Sequence, residues 1–384
     1  MSVRKRTWTT RKGERKESWI VDYVDQAGDR HIQTFARKKD AEEYHATVKV
    51  DVRQGVHTPH SASKTVAQGA DDWLDYVRGE GAERSTLEHY RNHIRNHIAP
   101  LIGTHKLSKL TAPGIETFRD ALLAKLSRAQ AKKVLVSLKS LLRDAVRRGT
   151  VAQNVALAVK IGKSGRHKKK LKVGEDIPTP DEIKAIIHAA DGRIRPMLLC
   201  AIFTGMRSSE LRGLRWADID LNAHELHVTR RADRYNQIGP PKSKAGARTI
   251  PMGEFLTNTL RQWKHVCPKG DLGLAFPNTV GKIWDHADVV VRFLAPTMVK
   301  AGVVDSKGEA KYTGLHALRH FFASWCINAK EAGGLGLTIK EVQERMGHAT
   351  AAMTTDTYGH LFKRDEKDEA RKLNEAERRL LAVG

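Results

Sequence analysis

Between residues 156 and 178 the chain carries Lys160, Lys163, Arg166, Lys168, Lys169, Lys170 and Lys172, interrupted by Gly162, Gly165 and Gly174. Glycine raises the entropy lost when backbone is ordered, and like charges resist packing side by side. The segment therefore predicts a basic linker, and a chain of 384 residues split at that point must form separate hydrophobic units. Charge also limits the partners. Lys and Arg number 67 against 44 Asp and Glu, a formal net charge of +23 that suits a polyanion, with a merely basic, well-solvated surface as the alternative.

Other classes are disfavoured. No apolar run approaches the ~20 residues needed to span a bilayer. Arg4, Lys5 and Arg6 are not followed by an apolar stretch, so no secretory signal is expected. Cys200, Cys267 and Cys326 are too few and too scattered for a disulfide framework or a Cys-x-x-Cys metal site. Cys200 and Cys326 sit among apolar neighbours and are expected as buried thiols in a reducing cytoplasm.

Ahead of the linker, two patterns follow one another. In residues 1–60, Trp19, Val21 and Tyr23 alternate with polar neighbours as in a half-buried strand. A turn at Gln26-Ala27-Gly28-Asp29 leads to a second strand from Ile32 to Phe35. Ala41, Tyr44, Val48 and Val52 then recur at helical spacing. Before them lies a basic lead-in, including Arg4, Lys5 and Arg6, which is either a DNA contact or a disordered tail. Residues 61–65 read as a short linker. Residues 64–155 are wholly helical in pattern: a stripe of Val66, Ala70, Trp73, Leu74 and Val77, then a helix opened by a Ser85–Glu88 capping box and ended by Pro100 and Gly103. Thr111 with Pro113 starts a third helix, and a fourth runs from about Ser127 to Arg148, closed by Gly149. The second helix turns His89, Arg91, Asn92, His93, Arg95, Asn96 and His97 outward, a face that suits a DNA groove and phosphates as well as plain solvent. The third domain, 179–384, opens with proline and a capping box at Thr179-Pro180-Asp181-Glu182.

That third domain holds Arg207, Lys242, His316-x-x-Arg319-His320, Met346-Gly347-His348 and Tyr358-Gly359-His360. A phosphodiester repels nucleophiles until its non-bridging oxygens are neutralised, and arginine matches them bidentately with a permanent charge. Two arginines, a lysine, histidines and one late tyrosine supply a clamp, proton traffic and a nucleophile without metal. His316 and Arg319 lie one helical turn apart and can face the same group. His316 and His320 at i, i+4 raise zinc, but a zinc-protease helix needs Glu where Ala317 stands, so no metal is expected.

Residues Thr204-Gly205-Met206-Arg207-Ser208-Ser209-Glu210-Leu211 resemble the first box of the tyrosine recombinases, the phage integrase family. His316-Ala317-Leu318-Arg319-His320 resembles the second, and Met346-Gly347-His348, with Tyr358 ten residues on, resembles its end. Met346 stands where the family has leucine, a swap that conserves volume. The resemblance covers roughly residues 175–362, and less specifically the two regions before.

The resemblance implies an α+β multidomain fold: a small N-terminal sheet-and-helix domain like the arm-binding or AP2-like ones, an all-helical core-binding domain, and a mainly helical catalytic domain with a small β-sheet. It implies a site-specific recombinase in which Arg207, His316, Arg319 and His348 hold the phosphate and Tyr358 attacks it. Lys242, on a hairpin from Gly239 to Gly246, is its general acid, and Lys244 contacts a phosphate or base edge. Glu210 orients the arginines or is an ordinary first-turn glutamate. His320 and His360 are left as structural. Its partner is double-stranded DNA at core and arm sites, bound by Arg4, Lys5, Arg6, His89, Arg91, Asn92, Arg95, Asn96, Lys168, Lys169 and Lys170. The family further implies a homotetramer on DNA, a DNA-bending host factor and a directionality factor, with no cofactor and no membrane. The tail, with Leu373, Leu380 and Leu381 on one side of a helix, would pack on a neighbouring protomer or cap its own domain. A type IB topoisomerase and an inert DNA-binding relative are the alternatives.

Overall fold

The structure, a computed structural model, describes residues 1–10, 12–25, 28–53, 63–162, 170–362, and 374, 375, 377, 378 and 381. Lys168, Lys169, Leu373 and Leu380 lie outside the described residues, as do Gln26 and Ala27 of the first turn. The chain divides into two compact units, Met1–Arg166 and His167–Gly384.

The first unit begins with an antiparallel sheet of β1 (Ser2–Thr9), β2 (Arg15–Val24) and β3 (Arg30–Phe35). The helix α1 (Lys38–Arg53) buries Ala41 and Val48 against Val21 and Tyr23. The basic lead-in is thus a strand rather than a tail. It pairs with β2 along its whole length, from Ser2↔Asp22 to Thr9↔Arg15. Its β-branched and aromatic residues suit a sheet, and its cations find acids across the strand. Lys5 lies 2.7 Å from Glu17, and Arg4 is 3.3 Å from Asp22, which Arg30 also engages.

The rest of the unit is helical: α2 (Val66–Gly79), α3 (Arg84–His93), α4 (Ala99–Ile102), α5 (Ala112–Lys125) and α6 (Arg128–Arg147). Three sequence expectations are corrected here. The capping box that forms is Thr65 with Gln68, opening α2, whereas α3 starts at Arg84 without a side-chain cap. The helix runs past Pro100 and ends at Gly103, the second of its two expected stops. Proline lacks the N–H that the regular ladder needs, and an i→i+5 turn over Ile94–Ile98, with Ala99 donating to Ile94, carries the chain past it into α4. His93 points inward, 7% exposed, with Nδ1 2.8 Å from the Ser137 hydroxyl. His89, Arg91, Asn92, Arg95 and Asn96 are exposed as expected.

The linker is shorter than its composition suggests, because apolar residues at both ends join the neighbouring cores. Ala156 and Val159 are buried with the helical unit, where Lys139 donates to the Leu157 and Val159 carbonyls. Ile177 is buried in the second unit.

The second unit packs α7 (Pro180–Ala189), α8 (Arg195–Thr204) and α9 (Ser208–Gly213) beside a small sheet of β4 (Ile219–Asp220), β5 (Glu225–Val228) and β8 (Arg248–Pro251). A second ribbon, β6 (Arg231–Ala232) with β7 (Ile238–Gly239), follows β5 and precedes β8 in the chain. Helices α10 (Glu254–Val266), α11 (His286–Asp288), α12 (Ala295–Lys300), α13 (His316–Ile327), α14 (Ile339–Met346) and α15 (Ala351–Tyr358) complete it. The Thr179–Glu182 capping box forms as expected. Cys200 and Cys326 are buried, and burial pushes each thiol up to about 12. Among the described residues no helix is long and apolar enough to cross a membrane.

Candidate active site

Two glycines bring the site together. Gly205 ends α8 and Gly347 ends α14, both with left-handed backbone (φ 59° and 61°). Such caps are inexpensive only for glycine, and they leave helix C-terminal carbonyls free to accept from outside. Guanidiniums take them. Arg319, on α13, donates to the Gly205 and Met346 carbonyls at 2.5 Å each. Arg207 donates to the Gly347 carbonyl at 3.0 Å, and Arg248 to the Arg345 carbonyl at 2.8 Å. Three successive carbonyls at the end of α14 therefore each hold a different arginine, at the end of the helix dipole that favours cations.

Glu210, 2% exposed, binds Arg207 at 2.7 Å and Arg248 at 3.0 Å. Burial alone would raise its carboxyl, but Arg248 and Arg207 outweigh that and hold it below its ordinary range. Two guanidiniums thus share one carboxylate. Burial drives Arg319 down to about 9, with Arg207 adding to the effect and Glu210 opposing it. Such a site is short of negative charge, and among the described residues each of Arg207 and Arg319 uses only two of its five N–H groups. The remainder are available to an anion.

Tyr358 is the last residue of α15 and is 2% exposed. Burial pushes its phenol up to about 12, while Arg319 and Arg207 pull it down. The His348 ring lies nearly parallel to it, centroids 6.3 Å apart, and is held by Thr354 at 3.0 Å. Burial, followed by Arg319 and Arg207, lowers His348 to about 4, so it is a neutral donor at pH 7. His316 stands at the exposed start of α13, lowered by partial desolvation and then by Arg319 and Arg207.

The sequence-predicted residues Arg207, Glu210, Arg319, His348 and Tyr358 are therefore gathered in one place, with His316 at its rim. Lys242 and Lys244 are not tied to it. Both are exposed in the loop after β7, and neither amine bonds to a described residue. The loop also departs from the simple hairpin expected, because β6 and β7 pair within the β5–β8 connection. One residue was missed, and a second was left as structural. Arg248 alternates with the buried Ile250 on the inner face of β8, a pattern that flags an inward arginine. His320 lies one turn after His316 and contacts Tyr358. His360, left as structural, bonds through Nε2 to the Leu171 carbonyl at 2.6 Å.

The fold is that of DNA recombinases already solved. The Tn1549 transposon integrase, in a complex with circular intermediate DNA, has a TM-score of 0.64 at 21% identity over 82% of this chain and 99% of that one. A lambda integrase tetramer bound to a Holliday junction gives 0.56 at 20% identity, over 90% and 96%. Residues 178–365 match the phage integrase family and residues 65–123 the phage integrase N-terminal SAM-like domain. Among sequences, the tyrosine recombinase XerC-like protein of Caldanaerobacter subterraneus is 26% identical over 88% of this chain and 90% of its own length. An integrase of Streptomyces ambofaciens is 25% identical over 90% of each. The ICEBs1 integrase of Bacillus subtilis is 26% identical over 76% and 78%. The chain belongs to the phage integrase family, the tyrosine-type site-specific DNA recombinases.

Proposed function

We propose that this recombinase cleaves and rejoins double-stranded DNA through a 3′-phosphotyrosyl bond on Tyr358, without metal or ATP, as an integrase of a phage or other mobile element in a bacterial cytoplasm. The observation that carries this is a buried tyrosine whose phenol feels Arg319 and Arg207, in a cluster where Arg207 and Arg248 share the Glu210 carboxylate. Arg207 and Arg319, with His316 and His348, neutralise and hold the phosphate oxygens. Protein partners hold Arg207, Arg319 and His348 before DNA arrives, which is how electrostatic stabilisation of a transition state becomes large. Glu210 positions Arg207.

Lys242 is the general acid for the leaving 5′-oxygen, and Lys244 a phosphate or base-edge contact. The exposed Arg91, Asn92, Arg95, Asn96 and His89 take core DNA, together with Lys168, Lys169 and Lys170, while the first sheet, with Arg4, Lys5 and Arg6, takes arm DNA. In this reading residues 1–60, 64–155 and 179–384 are the arm, core and catalytic domains. Solved relatives described as a dimer on a core site and a tetramer on a Holliday junction support assembly as a homotetramer on DNA. A DNA-bending host factor and a directionality factor complete the proposal.

The test is a nicked suicide substrate. Wild-type protein should become covalently attached in excess EDTA, and Tyr358→Phe should bind core DNA but form no adduct. An undiminished adduct in Tyr358→Phe, or strict dependence on magnesium, removes the proposal. Replacing the leaving 5′-oxygen by sulfur, which needs no proton to leave, should rescue Lys242→Ala but not Arg207→Ala. Rescue of Lys244→Ala instead would exchange the two lysines.

A further inference from the structure

The Tyr358 hydroxyl lies 2.7 Å from Nδ1 of His320. The two rings meet at 62° with centroids 5.7 Å apart, and His316 stands edge-on to His320 at 5.0 Å. Among the described residues no other side chain hydrogen-bonds that hydroxyl. His348 is stacked parallel to Tyr358 with its own Nδ1 occupied by Thr354, so it does not face the phenol proton. His320 is half-buried, and burial, then His316 and Arg319, lower it to about 4. It is therefore a neutral imidazole at pH 7, and with its hydrogen on Nε2 it presents Nδ1 as an acceptor to the phenol.

We propose that His320 is a catalytic residue, the base that takes the Tyr358 proton. This rests on the reading of Tyr358 as nucleophile. As Oη bonds to phosphorus, the phenol proton passes to Nδ1 and the P–O5′ bond breaks. The leaving oxygen takes its proton from a separate group, and His320 ends the step as an imidazolium. In rejoining, the 5′-hydroxyl returns its proton to that separate group as it attacks phosphorus, the P–Oη bond breaks, and Nδ1 returns its proton to the departing phenolate.

A base and a mere support differ in one measurable way: a base is needed only while the nucleophile holds its proton. Single-turnover adduct formation by the full chain on the suicide substrate would be measured for wild type and His320→Gln. Each would be prepared with tyrosine and with trifluorotyrosine at position 358, the latter a far more acidic phenol with a correspondingly smaller need for a base. Glutamine retains an oxygen that can hold the hydroxyl but cannot take its proton. With tyrosine, His320→Gln should be slower by about 100-fold, and with trifluorotyrosine the gap should shrink to about threefold or less. Equal rates with tyrosine, or an unchanged gap with both nucleophiles, would overturn the assignment. Core-DNA binding controls for folding, and His320→Asn replaces the glutamine variant should that control fail. If wild type forms no adduct through Tyr358, the phosphotyrosyl reading itself falls; if it does and the gap persists, only the role of His320 is lost.

Discussion

Arg91 and Arg95, on α3 and the turn that follows, are exposed, and Arg95 leans on the adjacent Asn96 at 3.3 Å. Arg319 and Arg248, in the second unit, are 2% and 6% exposed and are tied to carbonyls from distant segments. A guanidinium on the surface keeps its hydration and its rotamers, so it can follow a phosphate backbone in many arrangements. A buried one has surrendered that freedom in folding and presents its remaining donors in one arrangement. Changes in the first group should therefore scale affinity, and changes in the second should remove chemistry.

The sharpest test of that contrast is Arg319→Lys. It retains the charge, but one amine cannot span the Gly205 and Met346 carbonyls as the planar fork does. Adduct formation should fall by about 10²–10³-fold while core-site affinity changes little. A rate near wild type would mean that burial and bidentate geometry do not matter here.

Next in size is Gly347→Ala. The left-handed φ of 61° is strained for alanine, and the added Cβ would meet Arg248 Nη1 at 2.9 Å and the Ala245 carbonyl at 3.0 Å. A loss of roughly 1–3 kcal/mol is expected in urea unfolding. An unchanged midpoint would show that the α14 terminus does not anchor the cluster.

In the helical part of the first unit, Arg91→Ala or Arg95→Ala should each lower the slope of log affinity against log salt by about 0.9. The rate of adduct formation at saturating DNA should stay at the wild-type value. A slower saturated rate would break the comparison from the other side, by giving a surface arginine a part in the chemistry. The smallest effect belongs to Arg4→Ala. Its partner Asp22 is also held by Arg30, so the melting temperature should not move and only arm-site binding should weaken. A fall in melting temperature would turn Arg4 from a DNA contact into part of the sheet.

Much of the polar site was legible because its residue types are chemically rare combinations at local spacing. His316 and Arg319 share a helix face, Gly205 precedes Arg207, and Gly347-His348 precedes Tyr358 by ten residues. The helices with apolar stripes and the Thr179 cap were legible for the same local reason. The β1 strand was not, because its charges resemble a solvated tail until the acids of β2 are placed opposite them. Pro100 reads as a stop, and only packing on both sides of it makes the wider turn worth forming.

By itself the sequence determined the family and with it the class of chemistry, since these depend on residue identity and short-range spacing. The tertiary structure alone decided that Arg248 completes the cluster, that His320 rather than His348 faces the phenol, and that Lys242 makes no bond to the arginines. The reason lies in the partners. The arginines are held chiefly by backbone carbonyls, which every residue possesses, so nothing in a list of side chains shows which carbonyl will take which guanidinium until the chain has folded.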